Sequence, residues 1–330
     1  MRKNNKVKLG IFLIATMFLT FTGCKSNVEE SKQETKEKKE ISLVVPNGVP
    51  STSISKMIKE NIQVDNNYNI IYSIENTSDT LATSVMKGEP DIAIVPSNLA
   101  AQAYNKNLGY KLVGTTGWGA LYLISTEGKI SFNDIRGKEI YNIGKGLTPD
   151  IVFKTLLKES GIKEGEVILS YVGGATELAP TILGGKAKFA VVPEPVLTTI
   201  INKNTNIEVI ANLNDLWKEK FDSNKGFPQA SIIVKENLIN NSKDFLDKLI
   251  SEIDLSTKWA NENNGEAAKY SVENGSQVDV SVLEKSIKNS NINFSKAKDS
   301  KKEYLDYYKI LESKNPKSIG EKIPDEDFFY

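Results

Sequence analysis

Five loops concentrate the groups that could hold a small molecule: Asn47-Gly48, followed by Ser51 and Thr52; Ser97-Asn98; Gly117-Trp118; Lys145-Gly146-Leu147-Thr148; and Gly174-Ala175-Thr176. Each stands where an apolar run ends and a helical pattern begins. Helix N-termini expose unpaired N–H groups and partial positive charge, so such loops favour anions or polar carbonyl groups. Taken singly, each Ser or Thr serves equally well as a plain helix cap. Trp118 lies between two glycines, which allow close backbone approach and leave the indole a cleft to enter or a core to fill. Lys145 is the one cation of its loop, suited to an anionic ligand or to solvent. Glu194, between Pro193 and Pro195, could pair with a ligand amine or with a cation such as Lys145.

What is missing limits the chemistry further. The 330 residues include no histidine and one cysteine, Cys24. Ser-His-Asp and Cys-His nucleophiles, His-ligated zinc, thiolate clusters and intrachain disulfides are therefore excluded, and no metal or cofactor is expected. Basic and acidic residues number 42 each, but four of the basic ones lie in residues 1–24, where no acidic one does. The remainder carries 38 against 42, without the basic field that nucleic-acid binding needs.

Residues 1–24 have the order of a secretory signal: Arg2, Lys3, Lys6 and Lys8, then an apolar run from Leu9 to Phe21, then Thr22-Gly23-Cys24. At ~1.5 Å per residue that run is too short to span ~30 Å of hydrocarbon. Small residues before a sole cysteine resemble the bacterial lipobox, with Phe21 departing from its usual aliphatic residue. The resemblance implies cleavage before Cys24 and lipidation of its thiol, which anchors the chain to the membrane. Residues 25–40 hold five Lys, five Glu and one apolar residue, Val28. They read as a disordered tether.

The elements that must position the five loops follow from alternating signals. Strands are expected at 41–45, 69–74, 91–96, 111–115, 121–125, 139–143, 166–171, 189–192, 209–213 and 230–234, each a short run rich in branched residues. Helices fall between them, at 54–62 after caps at Ser51 to Ser53, at 80–87 after Thr77, and at 99–105, 150–160, 177–183 and 196–201. After 234 the pattern is all-helical, with Ser242 capping a long helix and others near 264–272, 278–290 and 300–312, then an extended tail from Asn315. Two series run in parallel, each ending on a strand that closes Val-Pro, at Pro96 and at Pro193. Strands alternating with helices imply α/β architecture, here two lobes of mainly parallel sheet flanked by helices.

This order resembles the type 2 periplasmic-binding-protein fold. More narrowly, it resembles the nitrate/sulfonate/taurine/thiamine-precursor group of ABC transporter substrate-binding proteins. The likeness is carried by Lys87 to Ser97 (KGEPDIAIVPS), Gly117-Trp118-Gly119, Arg136 to Ile140 (RGKEI), Gly144 to Asp150 (GKGLTPD) and Val191-Val192-Pro193-Glu194-Pro195, and it covers roughly 41–275. It implies lobe one from 41–124 and 230–330, lobe two from 125–229, and two hinge crossings. The ligand would lie between the lobes, which brings the five loops to one cleft. By the same resemblance the chain is a monomeric, non-enzymatic, extracytoplasmic solute-binding component. It would capture a small polar solute, of the sulfonate, nitrate-like anion or thiamine-precursor class, and deliver it to an ABC permease and, through that, an ATPase. A ligand-sensing lipoprotein and an enzyme on the same fold are the alternatives.

Overall fold

The computed structural model describes residues 38–330. The expected signal, the expected lipidation site Cys24 and most of the expected tether lie outside the described residues. Eleven strands are present: β1 (Lys39–Pro46), β2 (Tyr68–Glu75), β3 (Ile92–Pro96), β4 (Tyr110–Trp118), β5 (Leu121–Ser125), β6 (Glu139–Asn142), β7 (Ile168–Tyr171), β8 (Phe189–Pro193), β9 (Glu208–Asn212), β10 (Pro228–Lys235) and β11 (Ile292–Lys296). They form a six-stranded sheet in the order β11-β4-β10-β3-β1-β2 and a five-stranded sheet in the order β7-β6-β8-β5-β9.

The α/β reading with two sheets holds, but both sheets are mixed. Strands joined through helices pair in parallel, β1 with β2 and β3, and β6 with β7 and β8. The strands next to the chain crossings run the other way: β10 lies antiparallel to β3 and β4, and β5 antiparallel to β8 and β9. Helices cover the faces, so β3 is buried along Ile92 to Val95, as its unbroken apolar run predicts.

The sheets change over at Gly119-Ala120, between β4 and β5, so residues 121–124, expected in lobe one, belong to the second sheet. The chain returns between Phe221 and Pro228. Here two glycines are required by contact. A Cβ on Gly119 would stand 2.2 Å from the Phe227 ring, and one on Gly226, at φ +96°, would stand 1.9 Å from the Asn214 side chain. The crossings are tied together by Gly119 N–H donating to Phe227 O at 3.0 Å.

Other differences have local causes. The helix expected at 54–62 runs over Ser55–Lys59, and a separate short helix, Val49–Ser53, takes in the expected caps Ser51 to Ser53. An unexpected helix, Leu213–Phe221, starts where Asn212 Oδ1 accepts from the N–H groups of Asn214 and Asp215. The expected all-helical C-terminal part contains β11, an edge strand on β4. Strand β1 opens two residues before 41, inside the expected tether. The C-terminal helix Lys301–Lys314 buries Tyr304, Tyr307, Tyr308 and Leu311 in one core cluster with residues of both sheets. Phe328 and Phe329 of the tail join it, so the tail is packed rather than loose.

Candidate functional site

Where the C-terminal ends of the parallel strands from both sheets meet, a cavity of about 460 Å³ opens. Its first wall comes from the ends of β1, β3 and β4 and the start of β10: Pro46, Pro96, Ser97, Asn98, Trp118 and Gln229. Its second wall comes from the loop after β6, Leu147-Thr148-Pro149, and from Glu194 after β8. Asp79, in the first turn of the helix Ser78–Met86, and Tyr307 also line it.

The polar groups here are held in place. Ser97 Oγ accepts from Ser231 Oγ at 2.8 Å, and Ser231 is hydrogen-bonded to Tyr304 OH at 2.7 Å. Gln229 Oε1 accepts from Ala120 N–H at 2.9 Å, which leaves the amide NH2 available. Thr148 Oγ1 and Tyr307 OH are hydrogen-bonded at 2.8 Å, linking the second-sheet loop to the C-terminal helix. Trp118 is 3% exposed and donates Nε1–H to Asn293 O at 3.1 Å. Its ring is at once core and cavity wall, which unites the two readings of that residue.

Glu194 is 6% exposed. Its carboxylate accepts from Thr198 N–H at 3.1 Å, Thr198 Oγ1 at 2.9 Å and Asn289 Nδ2 at 3.1 Å. All three donors are neutral, and burial pushes the carboxyl above its ordinary pKa against their opposing effect.

Of the residues singled out from sequence, Ser97, Asn98, Trp118, Thr148 and Glu194 are brought together here. Gly117 and Leu147 of the same loops line it too, and the rest do not. Gly48 caps the helix Val49–Ser53, and the hydroxyls of Ser51 and Thr52 both bond back to Gly48 O at 3.0 Å. Asn47 Nδ2 donates to Asn76 Oδ1. Lys145 is exposed, with Nζ 5.5 Å from the centre of the Tyr171 ring. Gly146 lines a separate cavity of about 670 Å³ beside Tyr171, Lys154 and Lys158. That larger space is bounded by the second sheet's elements and residues Lys314 and Asn315, not by the first sheet. Gly174 and Ala175 open the helix Ala175–Leu183 and Thr176 is exposed in it, away from the cavity lining. Asp79, Gln229 and Tyr307 escaped the sequence reading. Asp79 stands in a cap sequence, Thr77-Ser78-Asp79, where an acidic residue is ordinary; Gln229 follows a proline in an unassigned crossing; and Tyr307 lies 159 residues from its partner Thr148.

Two mixed sheets with a cavity at the facing strand ends, bridged by two tied crossings, define a bilobal binding-protein fold. Residues 59–267 match the family described as NMT1/THI5 like, and the chain belongs to that family. Solved structures agree on the fold. An ABC transporter protein from Parabacteroides distasonis is 25% identical with a TM-score of 0.75, over 89% of this chain and 99% of that one. The periplasmic aliphatic sulphonate binding protein of Escherichia coli is 10% identical with a TM-score of 0.67, over 88% and 98% of the two chains. The periplasmic nitrate-binding protein of Synechocystis is 12% identical with a TM-score of 0.56, over 88% and 84%. No curated protein matches the sequence significantly.

Proposed function

We propose that this chain is the extracytoplasmic solute-binding component of an ABC importer, holding a small solute in the 460 Å³ cavity between its two sheets. The observation that carries this reading is the cavity's lining. Residues from both sheets reach it, at the strand ends where open α/β sheets bind ligands. A solute touching both walls favours the state in which they stand close, which is how capture is signalled to a permease. Membership of the NMT1/THI5 like family and the likeness to an ABC transporter protein and to sulphonate- and nitrate-binding proteins support it. The absence of histidine, with the Ser97 and Thr148 hydroxyls each held by a neighbouring hydroxyl rather than a base, favours binding over catalysis.

The anchor is part of the same proposal. The basic, apolar, small-residue order ending at Cys24 supports a lipid-modified N-terminus that holds the protein at the membrane next to its permease. Cys24→Ala should release the protein from the membrane fraction; equal retention would remove the anchor from the account. The binding role is tested by unfolding the natively purified protein and identifying released small molecules by mass spectrometry. A stoichiometric solute is expected. A protein that releases none, and whose melting temperature no solute in a broad panel raises, is not a solute carrier.

A further inference from the structure

We infer that the captured solute presents a protonated amine to this cavity and is not an anion such as a sulfonate or nitrate. The inference rests on the solute-binding reading above and specifies its chemistry. Two carboxylates line the cavity, Glu194 and Asp79, and among the described residues no Lys or Arg does. Neither carboxylate forms an ion pair with a described residue. Glu194 is 6% exposed, and a buried charge is costly unless it is paired. Its three donors are neutral, and Oε2 accepts only one of them, from Thr198 N–H, which leaves room for a further donor.

Two of the helix N-termini that would otherwise attract an anion are already spent. Asp79 sits in the first turn of its own helix, and Glu194 accepts from the first turn of the helix Val196–Lys203. Each places a negative charge where an anion would have to bind. Two helices that open onto the cavity, Val49–Ser53 and Ser97–Asn105, start without an acidic residue. An anion entering here would give up its water for those helix ends while facing two carboxylates. A protonated amine gains Glu194, then Asp79 at the rim, with the rings of Trp118 and Tyr307 in the same walls to receive its positive charge. The prolines and Leu147 that complete the lining fit an apolar body behind the amine.

The test has two arms. The first assigns the charge of the solute released from the natively purified protein, by mass spectrometry in both ion modes. The second measures, by calorimetry, the binding of benzylamine and butylamine against benzenesulfonate, butanesulfonate and nitrate. The expected result is a released solute with a basic amine, and measurable binding of the amines only. Glu194→Gln keeps an acceptor for Thr198 and should weaken amine binding on the order of tenfold to a hundredfold. Asp79→Asn alters an exposed side chain, so it leaves folding intact and should weaken amine binding about two- to fivefold. A released anion or neutral solute, binding of the sulfonates or nitrate in preference to the amines, or unchanged amine affinity in both variants would overturn the inference while leaving solute capture standing. No released solute and no binding by any probe would overturn the solute-binding reading, and this inference with it.

Discussion

The two walls of the cavity are built differently. On the first, Ser97, Ser231 and Tyr304 form a buried hydrogen-bonded chain, and Tyr308 OH donates to Ser97 O at 2.8 Å. On the second, Leu147 is 52% exposed just after Gly144 and Gly146, both at positive φ, and Glu194 brings a charge with no cationic partner among the described residues. The first wall's hydroxyls are satisfied within the protein, with the Gln229 amide left available. The second keeps exposed apolar surface and a buried carboxylate held by neutral donors alone. The contrast separates residues that hold the cavity's shape from residues that wait for its contents. It also makes the second wall, reached through two short crossings, the one that gains by moving.

The largest expected effect breaks the first wall. Trp118→Ala should cost roughly 3–5 kcal/mol of stability in denaturant unfolding, because the ring is almost fully buried and packs where the crossings meet. A loss under about 1 kcal/mol would mean that the first wall is not the rigid one. Next comes Ser231→Ala, which leaves Ser97 and Tyr304 without their shared partner. A loss of about 1–3 kcal/mol is expected, with solute affinity per folded molecule nearly unchanged. The opposite profile is expected of Leu147→Ser on the second wall. Stability should stay within about 0.5 kcal/mol of wild type, while solute affinity falls several-fold. If Ser231→Ala and Leu147→Ser gave the same profile, the distinction between the walls would fail.

The smallest effect sharpens the role of Glu194. Burial raises its pKa in the folded protein, so the folded state holds this proton to higher pH than the unfolded chain. Its contribution to stability is therefore most favourable below the unfolded carboxyl value and declines as pH rises through the raised one. In solute-free protein the stability of wild type relative to Glu194→Gln should improve as pH falls from 7 to below 4.5, the ordinary value. A difference that is flat in pH, or that grows the other way, would show that the carboxylate is already compensated in the empty cavity.

The architecture was readable because buried strands announce themselves as short branched runs and the linking helices as capped amphipathic ones. Five of the cavity residues, Ser97, Asn98, Trp118, Thr148 and Glu194, were readable for a related reason: they stand at strand ends. The same rule overreached at Ser51, Thr52 and Lys145. Standing after a strand does not decide whether a hydroxyl turns back onto its own helix, as Thr52 does to Gly48 O, or whether a lysine lies over a neighbouring ring. Strand β11 was hidden because a five-residue edge strand pairs on one side only and its sequence, Ile-Asn-Phe-Ser-Lys, is largely polar. The helix Leu213–Phe221 did carry a signal, since Leu213, Leu216 and Trp217 recur at helical spacing after Asn212. Tyr307 could not be placed without the fold, because only packing brings the C-terminal helix beneath Thr148.

The central claim is that one solute is held between the two walls and touches both. A crystal structure of the natively purified protein with its solute retained tests this most directly. The account predicts density in the 460 Å³ cavity, in contact with Trp118 on one side and with Glu194 and Leu147 on the other. Density confined to one wall, or lying instead in the 670 Å³ space beside Tyr171, would contradict it.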